Sequence, residues 1–269
     1  MKTLADLRVK PGRKVSLKDY APDATPGFKR KPDVDVVLLE CTTRLAELQY
    51  LLYAENKRSI LIVLQAMDTG GKDGTIRHVM AGLNPSGCRV KAFKVPTEEE
   101  REHDFLWRIH QPVPPKGEFG IFNRSHYEDV IVVRVHKLVP RTVWEKRYDQ
   151  INAFERHLVE NDVILLKFFL HISRDEQRKR IQARIDDPTK NWKLAPADFE
   201  ERKHWDDYQR AYEDAITKCS TKWAPWHIIP ADKKWFRNLA VSRIMIETLE
   251  AMNMKFPKPS FDPSKLKLR

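Results

Sequence analysis

The sequence predicts an α/β protein built on a parallel sheet with helices on both faces. Three observations carry that prediction. Apolar runs such as SILIVLQA (59–66) and VILLKFFLHI (163–172) have strand length and no polar alternation, as strands buried on both faces do. Longer segments between such runs place apolar residues at helical spacing. The two patterns alternate along the chain, as parallel strands joined by helical crossovers require.

In chain order, residues 1–34 are rich in Pro, Lys and Asp and lack periodicity, so they read as an irregular arm. From Val36 to Tyr53, Leu39, Leu45, Leu48, Leu51 and Leu52 recur at helical spacing and predict a packed leading helix. SILIVLQA follows as a buried strand, then a Gly-rich loop, then TIRHVMAGLN (75–84) as helix. CRVKAFKV (88–95) reads as strand, EEEREHDFLWRIHQ (98–111) as helix and GEFGIFN (117–123) as strand. A long helix over about 142–160 leads into VILLKFFLHI. SRDEQRKRIQARIDD (173–187) is a basic helix capped by Ser173, with Asp175 and Glu176 in the first turn, where carboxylates complement the helix dipole. ADFEERKHWDDYQRAYEDAITKC (197–219) reads as one helix, WHIIPA (226–231) as a short strand and KWFRNLAVSRIMIETLEAM (234–252) as the closing helix. The expected organisation is one domain over 35–257, a helical lid at about 174–200 and a Lys/Pro-rich tail over 258–269.

At 269 residues, 41% hydrophobic and 32% charged, the chain is long enough for one large domain or two small ones. No apolar run approaches the roughly 20 residues of a membrane span, and the N-terminus lacks the apolar centre of a signal peptide. Cys41, Cys88 and Cys219 are odd in number and lack metal-ligand spacing. They read as reduced thiols, and the expectation is a cytoplasmic protein without zinc or disulfides. A net charge of +11 points to a polyanionic partner: nucleic acid, anionic lipid or another phosphate-rich molecule. The bland alternative is a basic, soluble surface.

The loop after the first strand, AMDTGGKDGT (66–75), narrows the choice. A P-loop reads G-x-x-x-x-G-K-[ST]; its backbone N–H groups close around phosphates, its Lys reaches the outer ones and its hydroxyl ligates a metal. Here Gly71-Lys72 is in place, but Ala66 stands at the first Gly and Asp73 at the hydroxyl. The phosphate-binding candidates are Gly70, Gly71, Lys72, Asp73, Gly74, Thr75 and Arg77, at the positive start of a helix. Asp68 and Asp73 would repel a bare phosphate, so a cation has to stand between. Mg²⁺ takes one or two carboxylates together with substrate phosphates and water. The acids read as metal ligands or as a base for an attacking phosphate; the bland reading is a Gly-rich turn with capping aspartates.

Ligands of parallel sheets bind beyond the carboxyl ends of the strands, and two further ends carry suitable residues. FGIFNRSHYEDV (119–130) stands where a Walker-B strand would end in a metal-binding Asp. It offers the neutral Asn123, then Arg124 for phosphate oxygens, then Asp129, with Glu128 as competitor, to supply the missing carboxylate. For Glu128 and Asp129 the bland reading is solvent-facing turn charge. The basic helix after VILLKFFLHI concentrates Arg178, Lys179, Arg180 and Arg184, with Lys190 and Lys193 beyond. This is either a solvated face or a lid that closes arginines over transferring phosphates.

With these segments in hand, the chain resembles the family-2 polyphosphate kinases. The resemblance rests on AMDTGGKDGT, NPSGCRVKAFKVPT, FNRSHYEDV, KFFLHISRDEQRKRIQARIDDP and STKWAPWHIIPADKKWFRNLAVSRIMIETLE, and covers about 35–257. Asn in FNRSHYEDV resembles the class III subgroup, which implies both AMP and ADP as phosphoryl acceptors. The family further implies a thymidylate-kinase-like P-loop kinase fold, Mg²⁺, polyphosphate as donor, ADP and ATP as products, and a homo-oligomer (dimer or tetramer). Residue by residue, it implies that Asp68 and Lys72 are the loop acid and the phosphate-binding lysine, and that Arg124 follows the Walker-B position. Arg184 is implied as the lid arginine at the nucleotide phosphates, with Arg178 and Arg180 as competitors. Asn123 departs from the Walker-B acid, and Asp129 is the substitute expected. A linear polyanion also accounts for the basic charge. An ATP-dependent nucleoside monophosphate kinase is the alternative. A nucleic-acid partner is not expected, because no such motif is present and the basic residues gather around the phosphate-site segments.

Overall fold

In the computed structural model, which describes residues 3–28 and 33–266, the purest apolar run becomes the central strand. All eight residues of β1 (Ser59–Ala66) are buried. Taking each of its Ile, Leu and Val side chains out of water contributes about 1.5–3 kcal/mol. Beside it run β2 (Cys88–Ala92), β3 (Phe119–Asn123), β4 (Val163–His171) and β5 (Trp226–Pro230), in the order β2-β3-β1-β4-β5. Every pairing is parallel; Leu64 stands beside Asn123 on one side and Phe168 on the other.

The helices are α1 (Val34–Glu55), α2 (Lys72–Val79), α3 (Glu98–Glu102), α4 (Trp107–His110), α5 (Glu128–Val135), α6 (Arg141–Glu160), α7 (Arg174–Ile185), α8 (Pro196–Lys203), α9 (Trp205–Cys219) and α10 (Lys234–Ala251). One layer is α1, α2 and α10; the other is α5, α6 and α9. β1 therefore feeds a helix in one layer and its neighbour β3 feeds a helix in the other. Their carboxyl ends diverge into the crevice where ligands of doubly wound sheets bind. No helix among the described residues is long and apolar enough to cross a membrane.

Four expectations for the elements change. The helix expected at 98–111 breaks because the Asp104 side chain accepts from the Leu106 N–H at 2.9 Å, starting a new turn. The helix expected at 197–219 breaks at His204; Arg202 and Lys203 close α8, and Asp206 and Asp207 open α9, each charge suiting its end of the dipole. Helix α2 begins at Lys72 rather than Thr75 and ends at Val79. Helix α5 was not foreseen. Its β-branched run favours strand, but burial of Val130 and Ile131 among α6 and α9 overrides that propensity. In the N-terminal arm, Leu7, Val9, Val15 and Leu17 join the core, and Ser220 donates to the Val9 carbonyl. Residues 1–2, 29–32 and 267–269 of the expected arm and tail lie outside the described residues.

Candidate active site

The site forms where the ends of β1 and β3 meet. The loop from Met67 to Gly71 turns through positive φ at Thr69 (60°) and Gly71 (102°) before α2 begins. Its glycines make room for protein atoms. A Cβ on Gly70 would lie 2.5 Å from the Ala66 Cβ, and one on Gly71 2.0 Å from Arg237 Nη1. Lys72 turns back so that its Nζ donates to the Ala66 carbonyl at 3.2 Å. Burial and then Arg124 lower its pKa, while Asp68, Glu128 and Asp73 oppose them.

From β3, the Asn123 amide donates to Asp73 Oδ1 at 2.6 Å, joining the two segments. Arg124 stands at a φ of 65°, a left-handed conformation that costs a non-glycine residue about 1–2 kcal/mol. Its N–H bonds the Leu64 carbonyl at 3.1 Å. Its guanidinium spans two acids, with Nη2 3.1 Å from Asp68 Oδ1 and Nη1 3.7 Å from Glu128 Oε2. Burial works against that charge, but Glu128 and Asp68 hold the Arg124 pKa above its usual value. Burial raises the Glu128 pKa against the pull of Arg124 and Lys72.

Asp129 lies elsewhere, and the expectation that it replaces the Walker-B acid is corrected on geometry. It faces Arg147 Nη1 at 3.2 Å and Arg108 Nη2 at 3.8 Å, and it does not line the site. Successive residues of a helix point about 100° apart, so only one of Glu128 and Asp129 can face the crevice, and it is Glu128. The other assignments divide similarly. Thr75 is fully buried, its hydroxyl donating to the Gly71 carbonyl, and Arg77 is exposed on α2 outside the site. Arg178 is exposed beside Asp175. Arg180 clamps the loop, with Nε bonded to Glu176 and Nη1 and Nη2 donating to the carbonyls of Thr69 and Ala231. Of Arg178, Arg180 and Arg184 on α7, Arg184 reaches the cavity.

That cavity, about 580 Å³, is lined by the loop from Asp68 to Gly74 and by Lys94, Asn123, Arg124, Arg184 and Lys193. A second, about 330 Å³, opens off it and is lined by Met67, Val132, Gln177, Glu201, Tyr208 and Tyr212. Asp68, Val95 and Arg124 belong to both. Among the described residues no three His, Cys, Asp or Glu side chains gather to hold a metal. Two carboxylates on one Arg124 fork fit a hard cation that takes its remaining ligands from phosphate and water.

Sequence reasoning missed the residues beneath this wall. Glu155 accepts from Tyr127 OH at 2.7 Å and meets His126 Nε2 at 3.2 Å. Lys167 Nζ donates to Tyr127 OH at 2.8 Å, to the Cys219 carbonyl and to Glu155. Glu155, His126 and Lys167 are fully buried, so the network anchors the backbone just after Arg124. A lysine inside the apolar run VILLKFFLHI was the available signal.

A parallel sheet with a lysine-bearing loop after β1, an arginine after β3 and a cavity-lining arginine on α7 defines a P-loop phosphotransferase. The polyphosphate kinase 2 (PPK2) family model matches residues 30–257, and the chain belongs to that family. The chain is 54% identical over 260 residues to an AMP/ADP-polyphosphate phosphotransferase of Meiothermus ruber, covering 96% of this chain and 97% of the relative. It is 46% identical over 263 residues to an ADP-polyphosphate phosphotransferase of Rhodopseudomonas palustris, covering 93% and 91%. The crystal structure of polyphosphate kinase 2 from Arthrobacter aurescens TC1 superposes with a TM-score of 0.94 at 45% identity, covering 98% of this chain and 94% of that one.

Proposed function

We propose that the enzyme transfers the terminal phosphoryl group of inorganic polyphosphate to AMP and to ADP, giving ADP and ATP, with Mg²⁺ as its metal. The observation that carries this reading is the meeting of two unlike cavities at Asp68 and Arg124. The larger, with Lys72, Lys94, Arg124, Arg184 and Lys193, suits a polyanion without a base. The smaller, with Tyr208, Tyr212, Met67 and Val132, suits a base and ribose. The relatives' names and the basic charge support the same substrates.

Phosphoryl transfer asks the protein mostly for positioning and charge neutralisation. Lys72 and the loop N–H groups hold the donor end, and Arg124 moves from its two acids onto phosphate oxygens. Asp68 and Glu128, released by Arg124, would hold Mg²⁺, which supplies charge neutralisation at the phosphates when bound. Arg184 and Lys193 close from the lid side. Cytoplasmic location and a dimer or tetramer belong to the same proposal. Leu39, Tyr50 and Tyr53, exposed on α1, give assembly a surface.

The test is to incubate the purified protein with Mg²⁺, AMP and polyphosphate and follow ADP and ATP. Formation of both supports the reading. Rapid phosphorylation of AMP by ATP, with none from polyphosphate, would establish a nucleoside monophosphate kinase instead.

A further inference from the structure

Behind the loop, on the side of α10, lies a cation that the site has not used. Arg237 is 3% exposed, and its Nε and Nη2 donate to Asn238 Oδ1 at 3.1 and 2.8 Å. Its Nη1 donates to no described residue, and no carboxylate among the described residues pairs with it. Arg108, buried to a similar degree at 5%, is paired with both Glu100 and Asp129. Burial brings the Arg237 pKa down to about 10, and the charged neighbour acting with it is a second cation, Arg180. Arg237 is therefore still charged at neutral pH.

Its location is as unusual as its lack of a partner. The guanidinium fills the space that a side chain at position 71 would take, and a Cβ on Gly74 would lie 3.2 Å from its Nη2. Gly71 and Gly74 thus admit a buried positive charge to the back of the phosphate loop. An uncompensated buried charge costs folding stability, and such costs persist where function needs the field they create.

We propose that Arg237 is a positioning residue for phosphoryl transfer, its unpaired charge drawing the end of the polyphosphate onto the loop and being balanced only when that polyanion is bound. This rests on the reading that the loop holds the donor phosphates. It assigns Arg237 no contact with the reacting atoms; it acts through the loop. It also predicts a sign that a packing role would reverse: without ligand, removing the charge leaves the protein as stable or more so.

The experiment compares wild type with Arg237→Gln, Arg237→Lys and Lys72→Ala. Thermal unfolding is measured with and without inorganic tripolyphosphate, and kcat and the polyphosphate KM at several salt concentrations. Arg237→Gln is expected to unfold no lower than wild type without ligand and to lose most of the tripolyphosphate-induced rise in Tm. Its polyphosphate KM is expected to rise about tenfold, less than the loss for a donor in direct contact with reacting charge. Arg237→Lys, which keeps the charge, recovers much of this. A glutamine variant that fails to fold, or that melts lower without ligand while keeping the wild-type KM, overturns the proposal and leaves Arg237 a packing residue. Lys72→Ala separates the two readings. If it keeps the full tripolyphosphate shift, the loop does not hold polyphosphate and the functional reading fails; if only Arg237→Gln keeps it, the inference about Arg237 fails alone.

Discussion

Replacing Lys167 with methionine removes one partner of a pair that has no access to water. The Glu155 and Lys167 side chains are both 0% exposed, and Lys167 holds the Glu155 pKa below its usual 4.5 against burial. Stranding one charge of such a pair costs about 3–5 kcal/mol. Glu155 can escape by protonation, and at pH 7 that costs 1.36 × (7 − 4.5), or about 3.4 kcal/mol, which sets the ceiling. We therefore expect a loss of about 3 kcal/mol at pH 7, or about 6–12 °C in Tm at 2–4 °C per kcal/mol. The folded variant takes up a proton that the unfolded chain does not. Its Glu155 pKa is then raised, and the deficit shrinks by about 1.4 kcal/mol for each unit the pH falls toward 4.5. Thermal unfolding by circular dichroism from pH 5.5 to 7.5 measures this, with Lys167→Met/Glu155→Gln recovering most of the loss. Turnover well below Tm should fall about tenfold, because Tyr127 keeps Glu155 but loses Lys167, one of the two partners that fix the backbone after Arg124. A deficit independent of pH, or a double variant as unstable as the sum of the singles, refutes the reasoning.

Lys72→Ala and Asp68→Asn should each lower turnover by about 10²–10³ while leaving Tm nearly unchanged; a Lys72→Ala enzyme with near-normal turnover contradicts the loop assignment. Glu128→Gln should raise the Mg²⁺ requirement and abolish the acid limb of the pH–rate profile, since activity is lost as pH falls through the raised pKa of Glu128. Asp129→Asn should leave the Mg²⁺ dependence alone, and a shift there would return the metal to Asp129. Arg184→Ala should lower turnover and, if Arg184 also touches the polyanion, reduce the salt slope of the polyphosphate KM by about one unit. Normal turnover with only KM changed makes Arg184 part of the groove alone. Asp73→Ser and Asn123→Asp should each impair turnover more than the two together; activity lower in the double variant than in either single one shows that the positions do not compensate.

The sheet was legible because its residues have little choice of environment. The runs that become β1, β4 and β5 are buried almost throughout, so their sequences show no alternation, and β1 has the bounds its composition implies; β2, at the edge, is largely exposed. Helix α5 was hidden because its preference is set by what packs on it. The break at His103–Asp104 depends on a local side-chain bond, and the break at His204 on charges suited to the two helix ends, and periodicity shows neither. Chain order placed the site at the ends of β1 and β3, but it could not say which way neighbouring side chains point. Glu128 and Asp129 are adjacent in sequence and face different partners. Among the α7 arginines the same limit held: Arg180 went to the loop carbonyls and Arg184 to the cavity. Arg237 could not be found at all, because the glycines that reveal it lie some 160 positions earlier.

Two departures from the usual pattern look like separate losses in the sequence and become one arrangement in the fold. The common loop pairs a neutral hydroxyl after its Lys with an acid at the end of the Walker-B strand. Here the acid, Asp73, follows the Lys, and the neutral residue, Asn123, ends the strand. The two meet at 2.6 Å, amide to carboxylate. One carboxylate and one neutral group thus face each other across the same junction, exchanged between the segments, with the charge of the pair conserved. Thr75 cannot supply the missing hydroxyl, since it is buried against the Gly71 carbonyl. Holding Asp73 by Asn123 fixes its orientation, while Asp68 and Glu128 are held by Arg124, a cation that a phosphate can draw away. The carboxylates of the loop therefore do not oppose phosphate binding as fixed charges would. Arg124 compensates Asp68 of the loop and Glu128 of α5, and in the proposed mechanism the arrival of phosphate would free both for a cation at the moment when the added negative charge requires one.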